Sequence, residues 1–229
     1  MPWVAGVDGC RGGWFVVLVN FNGKKVQKTH WTVCSSFQEV LQIKPSPRAI
    51  AVDIPIGLLD QPVSGGRECD RLARLFLGRP RASSIFSPPI RKILSAKKFS
   101  QVRGLGMTIQ AFHIIPKVRE VDQLMTPVLQ EEIFEAHPEA VFKGLQGGPM
   151  KHNKKTIHGR KDRIRVLFPF FPDLERGLIA TKDPNYFFDD IIDAHALAVT
   201  AFRIMEGQAK RFPQKPPNDS KGLRMEIWY

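Results

Sequence analysis

Four places in the chain set a carboxylate at the end of an apolar run. Asp8 follows Trp3 to Val7, and Asp53 follows Ala49-Ile50-Ala51-Val52. Glu135 lies within Glu132 to His137, with Glu139 just beyond, and Asp189, Asp190 and Asp193 open a long helical pattern. A carboxylate buried alone is costly, so such acids call for a cation, a proton or a hydrogen-bond partner. Each also has an ordinary structural role: Asp8-Gly9 as a turn, Asp53 as an acceptor for amides before Pro55, Asp189 as a helix N-cap. As a set they converge if the first and fourth strands are neighbours. An oxygen-only cluster of that kind suits Mg²⁺ or Mn²⁺ rather than zinc. His137 is of the residue type that can shuttle a proton, though a strand-end histidine is the commoner role.

The elements that must position these acids read as a mixed α/β sheet flanked by helices. Trp3 to Val7 and Trp14 to Val19 are apolar strands around a glycine-rich turn, Asp8 to Gly13, and Asn22-Gly23 leads to a third strand near Lys25 to Val33. Ser35 or Ser36 caps a short helix with apolar positions Phe37, Val40 and Leu41. Ala49 to Val52 suits a strand buried on both faces. Residues 60–130 differ in texture: a helix from Glu68 to Leu77, then more helical material from Thr108 to Met125 in which Pro116 predicts a kink or break. This stretch is expected to be a helical insertion in a single domain spanning 1–229. A strand at 132–137 follows, then a helix from Asp189 to Met205, and residues 223–228 alternate like a strand. On a helical wheel with Asp190 at 0°, Ala194, Leu197, Ala198, Ala201 and Met205 fall between about −20° and 80°. Asp190 is thus expected at the top of the apolar stripe, with Asp193 about 60° to one side.

Composition bounds the rest. The 229 residues are 43% hydrophobic and 24% charged, enough to bury a sizeable core. No apolar window approaches the ~20 residues of a membrane helix, the N-terminus lacks a signal-peptide pattern, and three cysteines make no disulfide framework. A reduced, cytoplasmic protein is expected. The net charge of +12 raises the odds of a polyanionic partner, nucleic acid first. Between Lys151 and Arg165, Lys154, Lys155, Arg160, Lys161 and Arg163 are candidate phosphate contacts. A solvated helix face is the equally available alternative.

The strand order, Asp8 on the first strand, Asp53 on the strand after the first helix and the acids opening the last helix resemble the ribonuclease H-like fold. Asp190-Ile191-Ile192-Asp193-Ala194, followed by Leu197-Ala198, resembles the Asp-x-x-Asp-Ala-x-Ala stretch of RuvC-type Holliday-junction resolvases. End to end, the chain is similar to a bacterial and archaeal family of predicted ribonuclease H-like nucleases. Gly6 to Trp14, Asp53 to Leu58, Gly66 to Asp70, Glu135 to Glu139, Asp189 to Ala194 and Gly222 to Ile227 carry the likeness. Two departures from the resolvases stand out: Asp53 replaces their glutamate, and residues 60–130 have no counterpart.

The resemblance implies a metal-dependent nuclease that hydrolyses phosphodiester bonds of DNA or RNA, with Asp8, Asp53, Glu135, Asp190 and Asp193 as catalytic acids. Of these, Asp8, Asp53, Asp190 and Asp193 would hold Mg²⁺ or Mn²⁺, and the resolvase likeness implies a homodimer. Two alternatives stay open: a nucleic-acid-binding protein of the same fold without turnover, and an actin-like or sugar-kinase-like phosphotransferase.

Overall fold

Continuous apolar strands in an alternating pleat bury both faces of a sheet, and this chain uses them to separate two cores. The computed structural model describes residues 2–23, 25–102, 107–180 and 183–229. Strands β1 (Trp3–Cys10), β2 (Gly13–Asn22) and β3 (Lys25–Cys34) form an antiparallel meander. Helix α1 (Phe37–Leu41), capped by the Ser36 hydroxyl, leads to β4 (Ala49–Val52), which pairs parallel to β1. β5 (Ile133–Glu135) extends the sheet parallel to β4, giving the order β3-β2-β1-β4-β5. That order, with β2 alone running against the rest, is the ribonuclease H-like topology.

Between β4 and β5 lie α2 (Glu68–Leu77), α3 (Ile109–His113) and α4 (Ile115–Leu124), joined by short 3₁₀ turns. The predicted break falls at Ile114, and Pro116 sits in the first turn of α4, where its missing N–H costs no helical bond. After β5 come α5 (Pro138–Gln146), α6 (Ile157–Leu167), α7 (Leu174–Ala180) and α8 (Phe188–Met205). The C-terminal stretch is mostly irregular. There β6 (Arg211–Phe212) and β7 (Ile227–Trp228) pair, Asn218 bridges to Arg224, and Trp228 bridges to Ala136 beside β5.

The two-residue period sorts the strands. Val4, Val17, Ala51 and Phe134 face α8, whereas Ala5, Val7, Val16, Val52 and Ile133 face Phe37 of α1 and Ile115, Val118 and Val121 of α4. Helix α8 crosses β1 at Gly6, where an added Cβ would stand 1.9 Å from the Ala194 carbonyl oxygen and 2.2 Å from the Ala198 nitrogen. The alanines of α8 and the bare Cα of Gly6 therefore permit backbone-to-backbone contact directly below the carboxyl end of β1. Residues Ile191 to Phe202 are all buried, because α5 and α6 cover the side of α8 turned away from the sheet.

Candidate active site

Asp8, near the end of β1, lies on the α8 face, two residues along from Gly6. Parallel pairing sets Val7 opposite Val52, and the Asp53 N–H donates to the Val7 carbonyl at 3.0 Å, so Asp53 emerges beside Asp8 on the same face. The Gly6 contact brings in the start of α8, where Asp193 is 1% exposed. A backbone bond from Gly12 to the Asn185 carbonyl, 2.7 Å, ties the β1–β2 turn to the segment before that helix. The condition for convergence is met: β1 and β4 are neighbours, and the last helix delivers its acids to their carboxyl ends.

Glu139 joins this group from the first turn of α5. It is buried; Arg163 pairs with its Oε1, while Oε2 has no hydrogen-bond partner among the described residues. Asp190 sits at the edge, its Oδ2 accepting the Phe187 N–H at 2.8 Å as the return bond of a helix cap. The positions of Asp190 and Asp193 thus differ from the wheel expectation. Because α8 is buried on all sides there, Asp193 faces the cluster and Asp190 serves the helix end.

Lys154, read from sequence as a phosphate contact, extends into the acids. Its Nζ donates to Asp193 Oδ2 at 2.7 Å. Burial works against the ammonium, but Asp193 and Asp8 outweigh it and hold Lys154 protonated above its ordinary range. Burial raises Asp8 well above the usual carboxylate range, and Asp53, Asp193 and Asp190 add to this against Lys154. Asp53 is raised by burial and by Glu139, with His137 and Lys154 opposing. Asp193 is pushed to about 6 by burial, against the Lys154 charge. Asp190 is raised by burial, opposed by its bond from Phe187.

Glu135 is not brought to this group. On β5, Phe134 and Ala136 face α8, so the pleat turns Glu135 to the opposite side. There both oxygens meet Arg67, at 2.5 and 2.7 Å, and Oε2 also accepts the Ile56 N–H at 2.7 Å. Arg67 in turn pairs with Asp70 and donates to the carbonyls of Ile56 and Gly57. Glu135 and Arg67 therefore hold the loop that follows Asp53. Burial pushes the Glu135 carboxyl up, to about 7, while the Arg67 charge opposes the shift.

The basic segment divides in the same way. Arg163 is 1% exposed and committed to Glu139 and to the carbonyls of His152 and Gly159, away from any surface a phosphate could reach. Lys155 and Lys161 are exposed. Arg160 is half-buried over the Phe188 ring. Trp14 and the cysteines, at positions 10, 34 and 69, are buried packing residues.

A cleft of about 350 Å³ opens on the cluster, lined by Asp53, His137, Glu139, Lys154 and Asp193, and by Arg81 and Phe86 from the stretch between β4 and β5. The hollow of about 380 Å³ between β3 and α7 is lined mainly by apolar side chains such as Trp31, Phe171 and Leu174, so chemistry rather than size selects the acidic cleft. Among the described residues, no three His, Cys, Asp or Glu side chains stand in metal-coordinating geometry. In kind, however, the group fits a hard divalent cation. Its donors are oxygens, its acids exceed the charge that Lys154 supplies, and Glu139 Oε2 and His137 Nδ1 are buried without partners beside it.

Glu139 was visible in the sequence only as the twin of Glu135; the strand alternation Phe134–Glu135–Ala136 was the signal that separates them. Arg67 stood out in the sequence only within the Gly66 to Asp70 stretch that carries the family likeness, and its pairing with Glu135 had no local signal.

The family model described as "Protein of unknown function (DUF429)" matches residues 6–218. No curated protein matches the chain. Among solved structures, Thermus thermophilus RuvC is similar at 13% identity and TM-score 0.35, over 91% of this chain and 98% of that one. RuvC of the same organism in complex with a Holliday junction substrate is similar at 16% identity and TM-score 0.35, over 92% and 99%. The fold assignment rests on the sheet order described above.

Proposed function

The chain belongs to the DUF429 family, and from that footing we propose that it is a divalent-metal-dependent nuclease hydrolysing phosphodiester bonds of nucleic acid. The observation that carries this reading is the convergence of Asp8, Asp53 and Asp193, with Asp190 and Glu139 beside them, at the carboxyl ends of two parallel strands, where Asp53, Glu139 and Asp193 line a cleft that Arg81, Lys154 and Lys155 also line.

Asp8, Asp53 and Asp193 would hold Mg²⁺ or Mn²⁺, with Asp190 at the margin. A bound divalent ion would supply Lewis-acid activation of water and stabilise charge on the leaving oxygen. The chain's own residues do the positioning. Arg67 and Glu135 fix the Asp53 loop, Arg163 fixes Glu139, and the Gly6 contact fixes Asp193 against Asp8. Lys155 and Lys161 grip phosphates without reading sequence. His137, within hydrogen-bonding distance of the Ser84 carbonyl through Nε2 and with a buried Nδ1 that no described residue partners, would move a proton at the cleft wall.

The test is cleavage of a labelled panel (single- and double-stranded DNA and RNA, a hybrid, a four-way junction) with Mg²⁺, Mn²⁺ or EDTA, comparing wild type with Asp8→Asn. Metal-dependent cutting that the substitution abolishes is expected. Salt-sensitive binding without cutting would replace the reading by a binding protein, and cutting that survives Asp8→Asn would remove the acid cluster from the chemistry.

A further inference from the structure

A lysine inside a carboxylate cluster carries the charge that a metal ion would otherwise provide. We propose that Lys154 is a built-in counter-cation of the acid cluster, competing with a divalent ion for the same carboxylates and expelled into the cleft when the ion binds. The inference rests on reading the cluster as a metal site; what it adds is a resident competitor and a direction of movement.

Three observations carry it. The ammonium is seated on Asp193 at 2.7 Å, within the field of Asp8 and Asp53, the acids that the metal reading requires. Second, the backbone that presents it is anchored on both sides while the side chain has an exit. Arg81 donates to the carbonyls of Met150 and Lys151, at 2.8 and 2.9 Å, and Arg163 donates to that of His152 at 3.2 Å. Asn153 O accepts both the N–H and the hydroxyl of Thr156, and it packs where a Cβ on Gly159 would stand 1.9 Å away. Lys154 itself keeps 37% of its side chain exposed, on the wall of the cleft. A flexible four-carbon stem on a fixed loop can swing without refolding anything. Third, one ammonium does not satisfy the group: Glu139 Oε2 remains buried and without a partner among the described residues, and its Oε1 is already held by Arg163. A divalent ion brings twice the charge and can take several oxygens at once. The displaced ammonium then lies in the cleft, free for a phosphate oxygen of the substrate.

Trace acetylation of the full-length wild-type protein with acetic anhydride, read by peptide mass spectrometry, tests this without reference to cleavage. Lys155, exposed and adjacent, is the internal reference. In EDTA, Lys154 should label several-fold more slowly than Lys155, and saturating Mn²⁺ should remove most of that protection. Calorimetric Mn²⁺ titration supplies the second readout: Lys154→Met should bind Mn²⁺ about tenfold more tightly than wild type, since a like charge has left the site, and Lys154→Arg should not. Protection unchanged by Mn²⁺ that calorimetry shows to be bound overturns the lysine proposal and leaves the metal site standing. Equal or weaker Mn²⁺ affinity in a folded Lys154→Met does the same. No Mn²⁺ binding in wild type or variant overturns the metal reading itself. Should Lys154→Met fail to fold, the labelling of wild type decides.

Discussion

Gly6→Ala joins fold to site in one perturbation. The new Cβ would stand 1.9 Å from the Ala194 carbonyl oxygen and 2.2 Å from the Ala198 nitrogen, both backbone atoms that no rotamer change can move aside. To restore ordinary contact, α8 must retreat from β1 by roughly 1.5 Å, a forced repacking at the upper end of the 1–3 kcal/mol typical of overfilled cores. For a chain of this size that corresponds to a fall in melting temperature of roughly 6–12 °C. The same retreat carries Asp193, the residue before Ala194, away from Asp8. A misplacement of that order costs on the order of 10²-fold in a reaction that depends on alignment. Thermal melts by circular dichroism, Mn²⁺ calorimetry and cleavage rates would be compared with Gly148→Ala, where an added Cβ meets nothing within 4 Å. Both variants behaving like wild type would refute the claim that the Gly6 contact sets the spacing of the acids. A destabilised Gly6→Ala with full Mn²⁺ affinity would show that Asp193 is not placed by it.

The two glutamates separate cleanly. Glu135→Gln, which keeps an acceptor for the Ile56 N–H, should leave Mn²⁺ affinity near wild type, whereas Glu139→Gln should weaken it about tenfold; calorimetry showing the reverse would exchange their roles. Arg163→Leu strands Glu139 in a buried site and should cost about 3–5 kcal/mol of stability in denaturant melts. Lys161→Ala should leave stability unchanged and lower the salt slope of nucleic-acid binding by about one. Equal salt slopes for Lys161→Ala and wild type would remove Lys161 from the interface. His195, buried with its Nδ1 donating to the Ile191 carbonyl at 2.8 Å, is pushed down to about 4 from 6.5 by burial. The unfolded chain therefore takes up a proton that the folded chain refuses, and stability present above pH 6.5 is lost as pH falls toward 4, by up to about 3 kcal/mol. Denaturant melts of wild type and His195→Leu across that window should converge in slope only if His195 is not responsible.

Local chemistry accounts for what was legible in the sequence. Strands β1, β2 and β4 appeared as continuous apolar runs between glycine and proline signals, β3 followed from the Asn22-Gly23 turn, and α2 matched its predicted span because its periodicity and flanking turns are all local. Asp8 and Asp53 were legible because each closes such a run. The C-terminal alternation predicted a six-residue strand at 223–228, yet Ile227–Trp228 alone forms a strand there and Arg224 makes a single bridge to Asn218, since a strand needs a neighbour as well as a pattern.

What only the tertiary structure decided is where side chains from distant segments point. Whether Glu135 or Glu139 meets the acids depends on the pleat of β5 relative to β1 and β4. Whether Arg163 grips a phosphate or a carboxylate depends on α6 lying against α5. Lys154 reads as a candidate phosphate contact in a basic run, and only the packing of its loop beside α8 turns it into the cation of the cluster. Residue type and local period determine which elements form and which acids end them. The partner of each charge is a long-range property, because the energy of a buried ion pair depends on separation in space and on the water excluded from around it.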